Sequence, residues 1–109
     1  MATAYKVLGQ VAPAATTATA VYTVPSATEA VVSSVTVCNR GAGSAQYRLS
    51  VRPNGASLAN QHYLVYDAYI AGNDTLILTI GATMDATDVL EGYASTGDLT
   101  FQAYGSEIS

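Results

Sequence analysis

The chain has 109 residues, a net charge of −4 and only 11% charged residues, while half of its residues are apolar. This length suits one domain built on a single hydrophobic core. Four Lys and Arg residues in total are too few to neutralise a phosphate backbone, which argues against nucleic-acid binding. No run approaches the roughly 20 apolar residues of a membrane helix, which argues against a membrane partner.

The residues that most often perform catalysis are scarce. The chain contains one His (His62), one Cys (Cys38) and no Trp, whereas an active site normally needs several converging acids, bases, nucleophiles or ligands. We therefore predict a non-catalytic protein without a cofactor or metal. A lone Cys excludes an internal disulfide, and we expect Cys38 to be buried as a small hydrophobic residue. The start of the chain lacks the pattern of a signal peptide.

Three sequence patterns allow a chemical as well as a structural interpretation. Asp85 and Asp88 suggest either a weak Ca²⁺ loop or ordinary turn chemistry, and we favour the turn because too few oxygen ligands alternate. Either Asp together with Glu91 would resemble the two catalytic carboxylates of a glycosidase. A chain with eight acidic residues contains such pairs by chance. Asn73-Asp74-Thr75 matches a glycosylation sequon and is interpreted as a turn.

Short alternating or apolar runs separated by turn residues predict an all-β fold. Eight strands at this spacing favour a two-sheet antiparallel β-sandwich of either jelly-roll or immunoglobulin-like type, in a single domain over residues 1–109. The predicted strands are Ala4–Gln10, Thr19–Val24, Ala30–Asn39, Gln46–Arg52, His62–Ile70, Thr75–Ile80, Val89–Ala94 and Leu99–Tyr104.

Alternation along the strands predicts which side chains form the core. Leu49 and Val51 share the apolar face of one strand, Phe101 lies on that of the last, and Leu78 is added to them as a predicted core residue. Two runs, 63–66 and 76–78, are apolar on both faces. A strand of a two-layer sandwich has one inward face, so the second must contact a loop, a terminal segment or another subunit.

The first 20 residues allow two interpretations. The uncharged stretch 11–20 is either a flexible linker or an extended connection on the surface. Residues 1–20 therefore form either an ordinary first strand and loop or an extended N-terminal arm that pairs with a neighbouring subunit. We slightly favour the exchange of the first strand between subunits.

Tyrosine is the most unusual enrichment, with eight in the chain. Tyr buries a large area while keeping a polar group, so it is frequent at interfaces, although it also covers sheet faces. From the Tyr-rich and doubly apolar strands we predict a subunit interface and a homo-oligomer, with a trimer favoured. The interface candidates are Tyr63, Leu64, Tyr66, Tyr69, Ile77 and Tyr104.

Three groups of segments in this chain resemble those of a known protein family. They are Leu8-Gly-Gln through Val21-Tyr-Thr-Val-Pro-Ser, Val31-Val-Ser-Ser through Val37-Cys-Asn-Arg, and Arg52-Pro-Asn-Gly followed by Tyr93-Ala-Ser-Thr and Gly105-Ser-Glu-Ile. In this order, over nearly the full length, the chain resembles small virion structural proteins of tailed bacteriophages. The resemblance implies a β-sandwich component of a phage particle and supplies no catalytic residue.

The expected function is therefore structural. Our leading hypothesis is a capsid decoration, or cement, protein that contacts major capsid proteins in the virion after assembly in the bacterial cytoplasm. A tail, baseplate or fibre component that contacts tail proteins is the second hypothesis. A receptor- or carbohydrate-binding module that uses exposed Tyr is the third.

Overall fold

The structure is a computed structural model that describes residues 2–109, and these residues form an eight-stranded β-sandwich. Two single 3-10 turns, Pro53–Gly55 and Asn60–His62, interrupt the connection between the fourth and fifth strands. The strands are β1 (Thr3–Val11), β2 (Thr19–Thr23), β3 (Glu29–Asn39), β4 (Ala45–Arg52), β5 (Tyr63–Ile70), β6 (Thr75–Met84), β7 (Val89–Ala94) and β8 (Leu99–Ile108).

The strands form two antiparallel four-stranded sheets with nested pairing. Sheet 1 has the order β1-β8-β3-β6 and sheet 2 the order β2-β7-β4-β5. The first strand thus pairs with the last, the second with the seventh, the third with the sixth and the fourth with the fifth. A long hairpin rolled up in this way is a jelly roll. Of the two sandwich types that the sequence allowed, the strand order is that of the jelly roll.

The core lies between the sheets and consists of alternate side chains from both. Phe101 of β8 is fully buried and lies against Gly92 of β7. Its ring packs edge-on against that of Tyr47, with 6.4 Å between the ring centroids. Leu49 is also fully buried, whereas Val51 and Leu78 are partly buried and pack against the core. Alternation therefore identified the inward faces of these strands correctly.

Two strands run further than the sequence predicted. β6 continues through Gly81 to Met84, where we expected a turn, because Gly81 adopts a left-handed φ of 56° at an irregularity opposite β3. Glycine tolerates this conformation without steric cost, so the strand resumes after the irregularity. β8 likewise continues past Tyr104 to Ile108, where it pairs with Glu29 of β3 and Thr3 of β1.

Each edge strand carries a register shift. The ladder of β1 shifts between Val7 and Gly9, that of β2 between Ala20 and Tyr22, and β5 and β6 are shifted against β4 and β3. Such bulges twist an edge and interrupt the row of free backbone groups that another strand would need. The edges of this sandwich are therefore poorly suited to a long continuous ladder with a neighbour.

The N-terminal segment is a strand of the sandwich. β1 pairs antiparallel with β8 of the same chain from Thr3↔Ile108 to Val11↔Phe101. The following loop is anchored where the N–H of Thr16 donates to the carbonyl of Ala94, at 2.7 Å. Exchange of this segment between subunits stays a prediction.

Candidate interaction surfaces

Exposed apolar side chains concentrate on three of the four edge strands. Within residues 2–109, six of the seven large exposed ones lie there, and Leu58, in the loop between β4 and β5, is the seventh. Tyr5 and Val7 on β1 form what we call the β1 patch. The β5–β6 patch consists of Leu64, Tyr66, Tyr69 and Ile77.

The two patches lie on opposite sides of the molecule. β1 is one edge of sheet 1 and β6 is the other, while β5 is the edge of sheet 2 on the β6 side. Exposure is high in both, at 85% for Tyr5, 72% for Tyr69 and 70% for Ile77. One chain therefore presents two different apolar surfaces, one to each side.

The predicted interface residues fall into two groups. Leu64, Tyr66, Tyr69 and Ile77 are exposed and are the residues of the β5–β6 patch, the three β5 residues on sheet 2 and Ile77 on the outward side of sheet 1. Tyr63 and Tyr104 are half-buried. Tyr63 packs edge-on against Tyr66 with 4.8 Å between ring centroids, and Tyr104 donates from its hydroxyl to Gln102. Sequence reasoning did not select Tyr5 and Val7, because nothing in a short N-terminal run distinguishes an edge strand from a central one.

The outward face of sheet 1 is almost free of charge. Alternation from buried Phe101 and Ala103 places Thr100, Gln102 and Tyr104 outward on β8, and the register aligns them with Cys38, Thr36 and Ser34 of β3. Cys38 is half-buried there rather than in the core, which corrects the sequence expectation. Neutral hydroxyl and amide groups can be covered by another protein at a much lower desolvation cost than charges.

The outward face of sheet 2 is built around Arg48. Its guanidinium lies between the rings of Tyr66 and Tyr93, 4.3 and 4.2 Å from their centroids. It also donates to both carboxylate oxygens of Asp67, from Nε at 2.7 Å and from the terminal nitrogen at 3.3 Å. The hydrogen bond to Asp67 raises the pKa of Arg48, so the cation is permanent. This stack fixes the orientation of both rings.

A second ion pair lies beside this stack. Arg52 contacts Oε2 of Glu91 at 3.1 Å, and Arg52 also donates to the carbonyls of Gly55 and Ala56. Glu91 is only 8% exposed and its neighbour Ser50 only 3%, although both lie on the outward side of sheet 2, a difference from an ordinary open polar face. The loops after β1 and β4 flank this part of the sheet, which explains the difference.

One motif residue of the resemblance closes the loops at one end of the sandwich. The amide of Asn39, which is 1% exposed, donates to the carbonyls of Gly43, Ile70 and Ala71, while its oxygen accepts from the N–H of Gly41. This single side chain ties the β3–β4 loop to the β5–β6 connection. Its role is therefore architectural.

The neighbouring Arg40 works in the same way. Its guanidinium donates to the hydroxyl of Thr100 and to the carbonyl of Gly97, and its N–H donates to the carbonyl of Asp98. Arg40 therefore joins the β3–β4 loop to the β7–β8 connection.

Side chains that were considered for metal binding or catalysis instead form hydrogen bonds with the backbone. Asp88 accepts from the N–H groups of Asn54 and Asp85, which is the turn chemistry that we favoured. Nδ1 of His62 accepts from the N–H of Ala59. Asn73 adopts a left-handed φ of 54° in the turn before β6. The Asp88 and His62 side chains therefore hold backbone N–H groups of loops.

A polar contact joins the sheets at the end where β1 begins and β8 ends. The hydroxyl of Tyr22 on β2 donates to Glu107 of β8 at 2.6 Å, and Lys6 of β1 lies 2.6 Å from the other carboxylate oxygen. Lys6, and after it Tyr22, holds the pKa of Glu107 below its usual value. Burial and the contact with Glu107 raise the pKa of Tyr22.

Residues 2–109 contain no group of three or more His, Cys, Asp or Glu side chains placed to hold a metal ion. Over the same range no helix has the length and apolarity to cross a membrane. Comparison with known proteins finds no family model and no curated protein that matches the chain.

Proposed function

We propose that this protein is a non-catalytic virion component of a tailed bacteriophage. In this proposal it is a capsid decoration protein that forms a homotrimer and contacts major capsid proteins. The observation that carries the proposal is the concentration of exposed apolar side chains on β1 and on β5–β6. Large exposed apolar surfaces on a small protein are typical of surfaces that become covered.

The arrangement of the two patches supports a cyclic assembly. A two-fold dimer uses one self-complementary surface, whereas a ring needs two different surfaces that contact each other head to tail. The β1 patch and the β5–β6 patch lie on opposite sides of each subunit, as a ring requires. Contact of the β1 patch with the neighbour's β5–β6 patch would cover both.

The fold and the motif residues agree with a structural role. Jelly rolls occur in viral capsid domains and in lectins, although a fold does not by itself define a function. Asn39, Arg40 and Arg52, which belong to the segments that resemble phage proteins, all bind backbone carbonyls of loops. Residues that hold loops in place are what a compact particle component needs.

The ring contact is tested with one exposed substitution in each patch. Tyr5→Asp places a charge in the β1 patch and Ile77→Asp one in the β5–β6 patch, while Thr17→Asp in the exposed β1–β2 loop is the matched control. In light scattering, wild type and Thr17→Asp should be trimers and each patch variant a monomer. An equimolar mixture of the two patch variants retains one intact contact and should give dimers.

Two results would contradict the head-to-tail contact. One is a monomeric wild type, and the other is a mixture that stays monomeric while each variant retains its fold by circular dichroism. The particle assignment has its own measurement, the copy number per purified virion. Hundreds of copies support decoration of the capsid, whereas a few dozen or fewer support the tail, baseplate or fibre alternative.

A further inference from the structure

The outward face of sheet 2 contains a groove that adjoins the β5–β6 patch at Tyr66 but is lined by other residues. Its floor is formed by β4 and β7 at Ser50, Glu91 and Tyr93, and its walls by Ala18 from the β1–β2 loop and Leu58 from the β4–β5 loop. Its volume is about 170 Å³. That space corresponds to about six water molecules at roughly 30 Å³ each, which is the scale of a single small ring rather than of a peptide.

The charges in this groove are already paired. Arg48 is neutralised by Asp67, and Glu91 by Arg52. A charged ligand would have to compete with these partners, because each ion already has its counter-ion at hydrogen-bond distance. The groove therefore favours an uncharged ligand.

Hydrogen-bonding groups remain for such a ligand. Both short contacts from Arg52 reach Oε2 of Glu91, so Oε1 is left to accept. Within residues 2–109, the hydroxyls of Ser50, Tyr63 and Tyr93 make no hydrogen bond. The groove thus combines one charged acceptor with three hydroxyls that both donate and accept.

The aromatic side chains beside these groups are held in place. Tyr93 is fixed by the Arg48 stack, and Tyr63 by its edge-on contact with Tyr66 at 84° between ring planes. A ring that is already ordered loses little entropy when a ligand packs against it. Aromatic faces carry partial negative charge and attract the weakly positive C–H groups of an apolar ring face.

From these features we propose that the groove binds one uncharged pyranose ring of a saccharide. A pyranose offers several hydroxyls around its edge and a C–H face, which match the acceptor, the hydroxyls and the ordered aromatic rings. The inference does not depend on the particle assignment, since no residue that lines the groove belongs to the β1 patch or the β5–β6 patch.

The test is an NMR titration of the ¹⁵N-labelled full chain with methyl glycosides of glucose, galactose and N-acetylglucosamine, up to tens of millimolar. Saturable shifts of the amides of Ser50, Glu91 and Tyr93 are expected with at least one of the three. Methyl glucuronide is the charged comparison and should bind more weakly than methyl glucoside. Equal or tighter binding of the glucuronide would overturn the inference of an uncharged ligand.

Two residues of the same loop provide a matched pair of variants. Ala18→Trp fills the groove from its exposed rim and should weaken binding at least about tenfold, which corresponds to 1.4 kcal/mol. Ala15→Trp places the same side chain on the same loop away from the groove and should leave the affinity unchanged. Tyr63→Phe, which removes only one hydroxyl, should also weaken binding.

The proposal is overturned if no glycoside gives saturable shifts. It is also overturned if full affinity survives in both Ala18→Trp and Tyr63→Phe. The dispersion of the amide spectrum reports in the same experiment that each variant is folded.

Discussion

At the scale of single residues, buried polar groups determine the architecture as much as apolar ones do. Every side-chain nitrogen or oxygen of residues 2–109 that is completely shielded from solvent has a hydrogen-bond partner. Asn39 shows why this matters, because three carbonyls from two connections depend on its one amide group. A buried carbonyl without a partner costs about 1–3 kcal/mol, so the fold depends on this side chain.

We expect Asn39→Asp to destabilise the protein more than Asn39→Ala. The alanine variant leaves the carbonyls unpaired, whereas the aspartate variant turns a carboxylate oxygen toward them and adds repulsion. Urea unfolding at neutral pH measures both free energies. Equal stability of wild type and Asn39→Asp would show that the loops are held by other contacts.

Substitution of Phe101 tests how much an apolar core side chain contributes to stability. Phe101 is the largest fully buried side chain and, from β8 of sheet 1, contacts the opposite sheet through Tyr47 and Gly92. Phe101→Ala should lower the free energy of unfolding by about 3–5 kcal/mol. Thr79→Ala, on the exposed face of β6, is the control and should change it by less than about 0.5 kcal/mol. A loss below about 1 kcal/mol at Phe101 would mean that the site collapses or that the strand faces the other way.

At the scale of elements, alternation predicted most of the fold. All eight strands form where the apolar pattern indicated, because β2 to β8 each place one face in the core, and that face follows a period of two. The misplaced ends have a local cause. Gly81 was interpreted as part of a turn, yet a left-handed glycine inside a strand produces an irregularity instead.

The surfaces were predictable only in part. The runs that are apolar on both faces predicted the exposed interface candidates, because a two-layer sandwich leaves the second face of a strand open. These candidates are Leu64, Tyr66, Tyr69 and Ile77. The stack of Arg48 between Tyr66 and Tyr93 was not predicted. It joins three strands whose pairing a single sequence does not reveal, so only the register of β4 with β5 and β7 brings these side chains together.

The contact between Glu107, Lys6 and Tyr22 links sheet 1 to sheet 2 and makes stability depend on pH. The pKa of Glu107 is lower in the folded chain than the value of about 4.3 expected when unfolded. Its contribution is therefore complete above the unfolded pKa and is lost as the pH falls through the folded pKa.

Comparison with Glu107→Gln isolates this contribution. The difference in Tm between wild type and variant should be largest near neutral pH and should shrink as the pH falls below the unfolded pKa and through the lower pKa of the folded carboxyl. Thermal melts by circular dichroism across this range measure it. A difference that does not change with pH would assign the contact to packing rather than to charge.

At the scale of the whole molecule, the two halves of β1 have different tasks. Gly9 and Val11 pair with Ala103 and Phe101 beside the core, whereas residues 2–7 are exposed. This exposed half carries the β1 patch and adds no residue to the hydrophobic core.

Removal of residues 1–7 therefore separates assembly from folding. The shortened chain keeps the inner half of β1 and should retain a cooperative unfolding transition with only a modest loss in Tm, since residues 2–7 add nothing to the core and form one ion pair, Lys6–Glu107. It should be monomeric by sedimentation, because the β1 patch is gone while the β5–β6 patch has nothing to contact. A further deletion through Gln10 should lower Tm strongly, because it removes the pairing beside Ala103. If the 1–7 deletion still forms the wild-type oligomer, the subunit contact does not involve β1, and neither head-to-tail contact nor strand exchange through this segment can hold.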